Sequence, residues 1–298
     1  MEEAQLIELF SSLNYWKKGS ERAPHKPLLT LLALGEFARG NHIIEFSEIE
    51  ERLTRLLNDF GPYRKSNHPE YPFWYLRNDG IWIVDNAENL QPRKASKQPT
   101  LGELRRKNAT GHFPEEVIVL FDNNPALIGQ VSQIMLNEHW PESQHRAILQ
   151  SVGLETQSQI QSIKKTRDPN FRKNVLDAYQ HRCAICGFEC SLDGYSTGLE
   201  AAHIQWHCYG GPDIVQNGLA LCALHHDLFD RGILTIGADK EYNVLVSEKA
   251  KGSKMFEQTV LDFHGTPITP PVNSNYYPDS TYLSWNYAEV FKQPERQK

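Results

Sequence analysis

A chain of 298 residues is longer than one average domain, which leads us to expect two domains. Hydrophobic residues make up 40% of it and charged residues 23%, as in ordinary globular proteins, and no run approaches the roughly 18 apolar residues of a membrane span. The formal net charge of -6 counts against a uniformly nucleic-acid-binding surface, because phosphate contacts need lysine and arginine.

The N-terminal half is predicted to be rich in helices. Apolar residues recur at helical spacing over residues 6–13, and a denser apolar run over residues 27–37 predicts a helix buried on more than one face. Ser47 and Glu50 form a capping-box pattern, so we expect a third helix to begin at Ser47 and to end at Gly61.

A hairpin and two more helices complete the predicted N-terminal domain. Residues 71–84 are aromatic and β-branched, and the Asn-Asp-Gly sequence at residues 78–80 supplies the positive φ angles of a tight turn, which predicts a β-hairpin. Pro125 and Pro141 each stand where the first residue of a helix is expected, and the second of these helices should extend to about Val152.

The two expected domains meet at a polar segment. Residues 156–166 are rich in glutamine and serine, which is typical of an exposed linker between residues 1–155 and residues 167–298. Asp168 is predicted to cap a helix with Pro169 at its first position. Several prolines near the C-terminus disfavour a long helix and predict a tail that wraps the second domain. The expected fold class is α+β.

Two basic stretches offset the overall negative charge. Residues 93–107 contain six basic residues against the single acid Glu103, and residues 164–173 form a second basic stretch. Each is either a surface that follows a DNA backbone or a solvated loop, and the sequence leaves both interpretations open.

The cysteines predict a metal site. Their odd number argues against a disulfide framework and for metal ligation in a reducing compartment. Cys183 and Cys186 form a C-x-x-C pair, and Cys222 and His225 form a second pair at the same spacing. Two such pairs predict a closed tetrahedral Zn²⁺ site with a structural role, the alternative being isolated buried thiols.

Cys190 and Cys208 remain outside this pattern. Either of them is an alternative to His225 as the fourth ligand. Neither has a partner at the same spacing, so we expect both to be small core residues.

The segment between the two zinc pairs carries a second constellation. It contains His203 and Asn217, and His226 follows the second zinc pair directly. The order and spacing resemble the HNH endonucleases, whose ββα-metal module holds a divalent ion and, in many members, a structural zinc. The resemblance implies a DNA endonuclease using Mg²⁺, Mn²⁺ or another divalent ion. A non-catalytic zinc-containing DNA-binding regulator is the alternative.

Phosphodiester hydrolysis requires a base that activates water and a cation that stabilises the developing charge. His203 is predicted to be the base, since a neutral imidazole accepts a proton near pH 7. By resemblance, Asn217 orients His203 through a hydrogen bond. His226 is predicted to bind the catalytic ion together with Asp230, which lies one helical turn later on the same face.

One position departs from the HNH pattern. Many members carry a metal-binding Asp or His directly before the base, where this chain has Ala202. Asp230 or Glu200 would then complete the metal ligands, and the sequence leaves both open.

Three N-terminal segments resemble a second family. They are APHKPLLTLLALG at residues 23–35, HPEYPFWYLRNDGIW at residues 68–82 and GHFP at residues 111–114. They are similar to the sulfur-binding domain of type IV restriction endonucleases that cut phosphorothioate-modified DNA. With the HNH module behind it, the resemblance covers nearly the whole chain and implies restriction of modified foreign DNA.

The chemistry of the ligand suits these residues. Sulfur in place of a phosphate oxygen is larger, softer and less hydrated, so an apolar cup beside a cation should prefer it. By resemblance, Tyr71 and Pro72 form the cup with Tyr75 near its wall, and His25 and Lys26 supply its polar rim. Arginine is common where this chain has Lys26, and lysine keeps the charge but lacks the planar fork.

Two alternatives compete with the sulfur cup. Tyr71 and its neighbours also fit an ordinary aromatic core. A nuclease that reads a modified base would instead flip that base onto Tyr71, Phe73 and Trp74.

Double-stranded DNA is the expected partner, with phosphorothioate as its modification. Cleavage of both strands by one site per chain would be explained by a homodimer. The first ten residues contain three glutamates and lack the basic start and apolar run of a secretory signal, which indicates a cytoplasmic protein without a membrane partner.

Overall fold

The computed structural model describes residues 1–14, 19–93, 97–154 and 169–297. Contacts between Cα atoms divide the chain into two compact units, Met1–Ile163 and Lys164–Lys298. The mixed helix-and-strand fold with a two-domain layout is confirmed. Among the described helices, none has the length and hydropathy that a membrane span requires. The predicted linker at residues 156–166 and the predicted cap Asp168 lie outside the described residues.

The first unit combines helices with a small sheet. Its described helices are α1 (Glu3–Ser11), α2 (His25–Ala38), α3 (Phe46–Phe60), α4 (Glu70–Tyr75), α5 (Leu101–Arg106), α6 (Glu115–Asn123), α7 (Ala126–His139) and α8 (Glu142–Val152). Its strands are β1 (Ile44–Glu45), β2 (Ile83–Val84) and β3 (Thr110–His112). They form an antiparallel sheet in the order β1-β3-β2.

Helix α2 is the centre of this unit. Eleven of its 14 residues are buried, as its dense apolar sequence predicts, and it packs against α3, α4, α7 and α8. The approach to the end of α8 is close, because a Cβ atom on Gly35 would lie 1.9 Å from the carbonyl oxygen of Val152. Only glycine fits there, so α2 offers a fixed platform for the residues at its N-terminus.

Most of the predicted helices occupy the expected positions. Helices α7 and α8 begin directly after Pro125 and Pro141. Helix α3 begins at Phe46, one residue before the predicted start, with Glu45 preceding it. Phe46 is fully buried, so its packing extends the helix beyond the capping pattern at Ser47. Helices α5 and α6 were not predicted.

The predicted hairpin at residues 71–84 is wrong. The structure has helix α4 there, then a 3₁₀ turn and Gly80 at φ +77°, and only β2 is a strand. Phe73 and Trp74 are buried in the core, and this packing overrides their preference for strands. Pro72 is compatible with a helix because it lies in the first turn, where its missing N–H has no intrahelical partner.

The second unit is built from short antiparallel pairs and helices. Its described helices are α9 (Pro169–Ala178), α10 (Ala223–Asp230), α11 (Lys254–Thr259) and α12 (Ser280–Glu289). Its strands are β4 (Ser191–Leu192), β5 (Tyr195–Ser196), β6 (Leu199–His203), β7 (Gly218–Cys222), β8 (Leu234–Ile236) and β9 (Val244–Val246). They pair as β4-β5, β6-β7 and β8-β9. Helix α9 begins at Pro169, as predicted.

The β6-β7 hairpin and α10 form the ββα module. The register pairs Leu199 with Cys222 and His203 with Gly218. Helix α9 covers the hairpin so closely that a Cβ atom on Gly218 would lie 2.5 Å from Val175 Cγ2. The buried side chains of α9 therefore join the core beneath the hairpin.

The C-terminal segment packs on this module, as expected from its prolines. Asn286 of α12 donates to the carbonyl of Ile204 at 3.0 Å and accepts from Thr235 of β8 at 2.8 Å. Asn286 is fully buried, so these bonds fix α12 to the chain just beyond β6.

Candidate functional site

Three thiols and one imidazole meet in the second unit. Cys183 and Cys186 follow α9, Cys222 ends β7, and His225 lies in α10. Their ligand atoms all lie within 4.8 Å of one another. The Nδ1 atom of His225 is 3.2 Å from Cys222 Sγ and 3.5 Å from Cys183 Sγ. Cys186 Sγ is 4.0 Å from Cys222 Sγ.

This donor set fits zinc. Tetrahedral Zn²⁺ with thiolate and imidazole ligands separates neighbouring ligand atoms by about 3.5 to 3.8 Å, close to the separations in this cluster. Hydrogen bonds with Cys186 and Cys222 lower the pKa of the Cys183 thiol, and the neighbouring Cys183 raises that of Cys186. The thiols can therefore ionise together only around a cation. The Nε2 of His225 donates to the Thr259 carbonyl at 2.9 Å, which leaves Nδ1 as the ligand atom.

The two remaining cysteines lie outside this cluster. Cys190 is exposed and Cys208 is partly buried, so the expectation that both are core residues is wrong. Cys190 directly precedes β4 in the two-stranded β4-β5 ribbon, whose side chains are almost all exposed, so it has no core to enter.

His226, the residue after the zinc cluster, lies between two carboxylates. Its Nδ1 contacts Glu200 of β6, and its Nε2 lies 3.2 Å from Asp230 Oδ2. Burial lowers the pKa of His226, but hydrogen bonds with Asp230 and Glu200 outweigh burial and raise it to about 10. The cluster of two carboxylates and one protonated imidazole therefore carries a net negative charge, which favours the binding of a cation. Two carboxylates and an imidazole are also suitable ligands for a divalent ion, so both alternative ligands face His226.

His203 ends β6 and is held on two sides. Its Nε2 lies 2.7 Å from Asp213 Oδ1, and because a carboxylate oxygen only accepts, Nε2 carries the hydrogen. The ring stacks on Phe171 of α9 with 4.0 Å between centroids and 14° between planes. The imidazole is therefore fixed in orientation.

Asn217 is fully buried, but its side chain does not reach His203. Its Oδ1 accepts from the backbone N–H of Gln205 at 2.8 Å, and its Nδ2 donates to the carbonyls of Gln205 and Pro212, each at 3.0 Å. The predicted direct hydrogen bond to His203 is therefore wrong, because the amide is directed at backbone groups of the loop. Asn217 instead closes the loop that follows His203 and brings Asp213 to it.

A pocket of about 280 Å³ lies between the N-terminus of α2 and α4 in the first unit. All five residues predicted for the sulfur site line it: His25, Lys26, Tyr71, Pro72 and Tyr75. The ring of Tyr71 stacks on His68 at 4.6 Å and meets Tyr75 edge to face at 6.5 Å. The Tyr75 hydroxyl donates to the buried Gln98 at 2.9 Å. A hydrogen bond to a buried residue therefore holds the Tyr75 ring in place in the pocket wall.

Lys26 and His25, two basic residues of this pocket, differ in their charge. Lys26 donates to the carboxylate of Asp79 and to the Asn14 carbonyl, so its charge is already balanced. Burial, followed by the charges of Arg64 and His68, lowers the pKa of His25 to about 4, which keeps the ring neutral at pH 7.

Sequence reasoning missed three residues of these two sites. Arg22 and Arg64 also line the pocket, and the buried Arg22 guanidinium donates to the Phe60 carbonyl at 2.6 Å. Asp213 was missed as the partner of His203. Its only signal was the sequence Gly-Gly-Pro-Asp between the strands, which reads as an ordinary turn.

Comparison with known proteins identifies both units. The profile described as HNH endonuclease matches residues 183–237. The profile described as ScoMcrA-like, DNA sulfur-binding domain matches residues 3–157, which is more than half of the chain. No curated protein matches the chain significantly.

Solved structures are similar at low sequence identity. The sulfur-binding domain of ScoMcrA complexed with phosphorothioated DNA has a TM-score of 0.45 and 22% identity, over 50% of this chain and 94% of that chain. The type IV phosphorothioation-dependent restriction endonuclease ScoMcrA has a TM-score of 0.43 and 22% identity over 50% of this chain, but only 32% of its own. The modification-dependent restriction endonuclease TagI has a TM-score of 0.30 and 24% identity, over 42% of this chain and 38% of its own. On the profile matches, the chain belongs to the ScoMcrA-like DNA sulfur-binding domain family and carries an HNH DNA endonuclease domain.

Proposed function

We propose that the protein binds phosphorothioate-modified DNA through its first unit and hydrolyses a nearby phosphodiester bond through its second unit. The observation that carries this proposal is the pocket between α2 and α4, where residues from two separate motifs line one cavity. Restriction of modified foreign DNA is the expected biological result.

The walls of the pocket suit a sulfur atom. A phosphorothioate keeps the negative charge of a phosphate but presents a larger and less hydrated atom, so apolar walls beside a cation favour it over oxygen. Tyr71, Pro72 and Tyr75 supply the walls. Lys26, Arg22 and Arg64 line the same pocket, and we assign the charge contact to these three cations together.

The second unit supplies the hydrolytic groups. His203 accepts the proton of the attacking water as the general base. Asp230, His226 and Glu200 would hold the catalytic divalent ion, Mg²⁺, Mn²⁺ or another, and that ion would supply stabilisation of charge on the reacting phosphate. Asn217 acts through the loop that it closes.

A zinc ion held by Cys183, Cys186, Cys222 and His225 would have a structural role. Four protein ligands would leave no position for water or substrate, so the ion would stabilise the module and take no part in hydrolysis. We further propose that residues 1–155 and residues 167–298 are the reading and cutting domains, joined by a linker at residues 156–166. Two copies of the chain acting on opposite strands would account for double-strand cleavage.

Cleavage of matched duplexes tests the proposed function. The substrates are identical duplexes with no modification, with randomly placed phosphorothioates in every sequence context, or with methylated bases, each incubated with Mg²⁺ or Mn²⁺. We expect cleavage and tight binding of the phosphorothioated duplex alone. Preferential cleavage of the methylated duplex would favour the base reader, and tight binding without cleavage of any duplex would favour the DNA-binding regulator.

A further inference from the structure

We propose that Asp213 is the positioning residue of the general base His203. The carboxylate accepts the Nε2 hydrogen of His203 at 2.7 Å. Both side chains are mostly buried, with 11% and 15% of their surfaces exposed, so water weakens the contact little. This inference rests on the proposed role of His203 and assigns a partner that differs from the expected Asn217.

The loop between β6 and β7 is built to present Asp213. Asn217 ties the backbone of Gln205 to that of Pro212, the residue before Asp213. Gly211 makes this closure possible, because a Cβ atom there would lie 1.8 Å from the carbonyl oxygen of Gln205. The position of the carboxylate therefore follows from a buried backbone network and not from a flexible surface contact.

A second restraint on the His203 ring comes from α9. Phe171 covers one face of the imidazole, so the ring cannot turn freely about its axis. His207 is another titratable group near the ring, with 6.1 Å between the two ring centroids. Asp213 is an acid that pairs with His203 directly.

This geometry assigns the proton-accepting role to Nδ1. Because Nε2 carries the hydrogen directed to Asp213, the neutral imidazole has its basic lone pair on Nδ1, and we assign the proton of the attacking water to that atom. As the water oxygen bonds to phosphorus and the bond to the leaving oxygen breaks, that proton moves to Nδ1, and the leaving oxygen takes a proton from solvent. The carboxylate of Asp213 then stabilises the imidazolium that forms, as an acid does for histidine in hydrolytic triads.

Replacement of Asp213 separates this role from a purely structural one. An Asp213→Asn side chain can donate to Nε2 and so stabilise the wrong tautomer, and Asp213→Ser removes the charge and shortens the side chain. We expect each variant that folds to lose about 10²-fold or more in single-turnover cleavage, within the range of general-base contributions. Binding of the same phosphorothioated duplex should change less than about threefold. The exposed Asp262, changed to Asn, is the matched control and should cut at the wild-type rate.

The pH dependence of the cleavage rate is the deciding measurement. Loss of the counter-charge makes the imidazolium less stable, so the acidic limb of the profile should move to lower pH in both Asp213 variants. Folding is checked by thermal unfolding and by zinc content. A variant that folds and cuts at the wild-type rate, or loses rate while the limb stays in place, would overturn the proposal. Wild-type cleavage by His203→Ala would instead refute the proposed base itself, so the two failures are distinguishable.

Discussion

Replacement of Tyr71 by alanine tests the apolar wall of the pocket directly. The Tyr71 ring lines the pocket and is stacked on His68 at 4.6 Å, so its removal opens one side of the cavity to water. Sulfur should then lose its advantage over oxygen, while contacts to the rest of the phosphate backbone remain. The affinity for phosphorothioated duplex should fall towards the affinity for unmodified duplex.

The size of the effect follows from the surface that the ring covers. A sulfur atom and the adjoining ring face remove about 40 to 120 Å² of apolar surface from water, which is worth about 1 to 3 kcal/mol. The ratio of the two dissociation constants should therefore change by about 5- to 150-fold. Tyr71→Phe is the matched control, because it keeps the wall and loses only the hydroxyl group, so its ratio should stay near the wild-type value.

The assay measures both dissociation constants at one fixed salt concentration, since phosphate contacts depend strongly on salt. Loss of a basic phosphate contact would weaken both duplexes together and leave their ratio unchanged. An unchanged ratio in both Tyr71→Ala and Pro72→Gly would refute the sulfur pocket. The base-modification reader would then become the preferred explanation.

Three further predictions concern the second unit and His25. His203→Ala should abolish cleavage while the affinity for modified duplex stays within about threefold, and residual cutting at the wild-type rate would remove His203 as the base. Cys183→Ser should release about one zinc per chain and unfold the second unit, whereas His226→Ala should keep the zinc and raise the divalent-ion concentration needed for cleavage; metal analysis that finds no zinc in the wild type would contradict the cluster. Because the pKa of His25 is lowered to about 4 from its usual 6.5, the unfolded chain binds more protons between these values, so the first unit should lose about 1 to 3 kcal/mol of stability as the pH falls from 6.5 to 4. His25→Gln should remove this part of the acid sensitivity in thermal unfolding, and an unchanged pH dependence would contradict the buried neutral ring.

The sequence was sufficient where a local pattern specifies the structure. Helix α2 followed from its apolar run, and the cluster of three cysteines and one histidine followed from the spacing of its two pairs, because each pattern limits where the side chains lie. The residues expected to line one cavity, such as Tyr71 and Lys26, do so in the structure. Their roles in binding stay predictions.

The remaining features depended on tertiary contacts that no local pattern shows. The aromatic run at residues 71–84 has strand-like composition, but burial of Phe73 and Trp74 made half of it helical. Asn217 has the residue type expected of an orienting partner, yet the direction of its amide depends on a loop closure at Gly211. Asp213 became identifiable only when that closure placed it beside the histidine.

His225 and His226 are adjacent in the chain but belong to different clusters. Consecutive residues of a helix point about 100° apart, so a ligand bond at His225 would also set the rotation of α10 and thereby the direction in which His226 faces. Zinc would then control the catalytic cluster without touching it. Brief chelation that removes only the weakly held divalent ion should be reversed by Mg²⁺. Extraction of the zinc should leave a protein that Mg²⁺ alone does not reactivate.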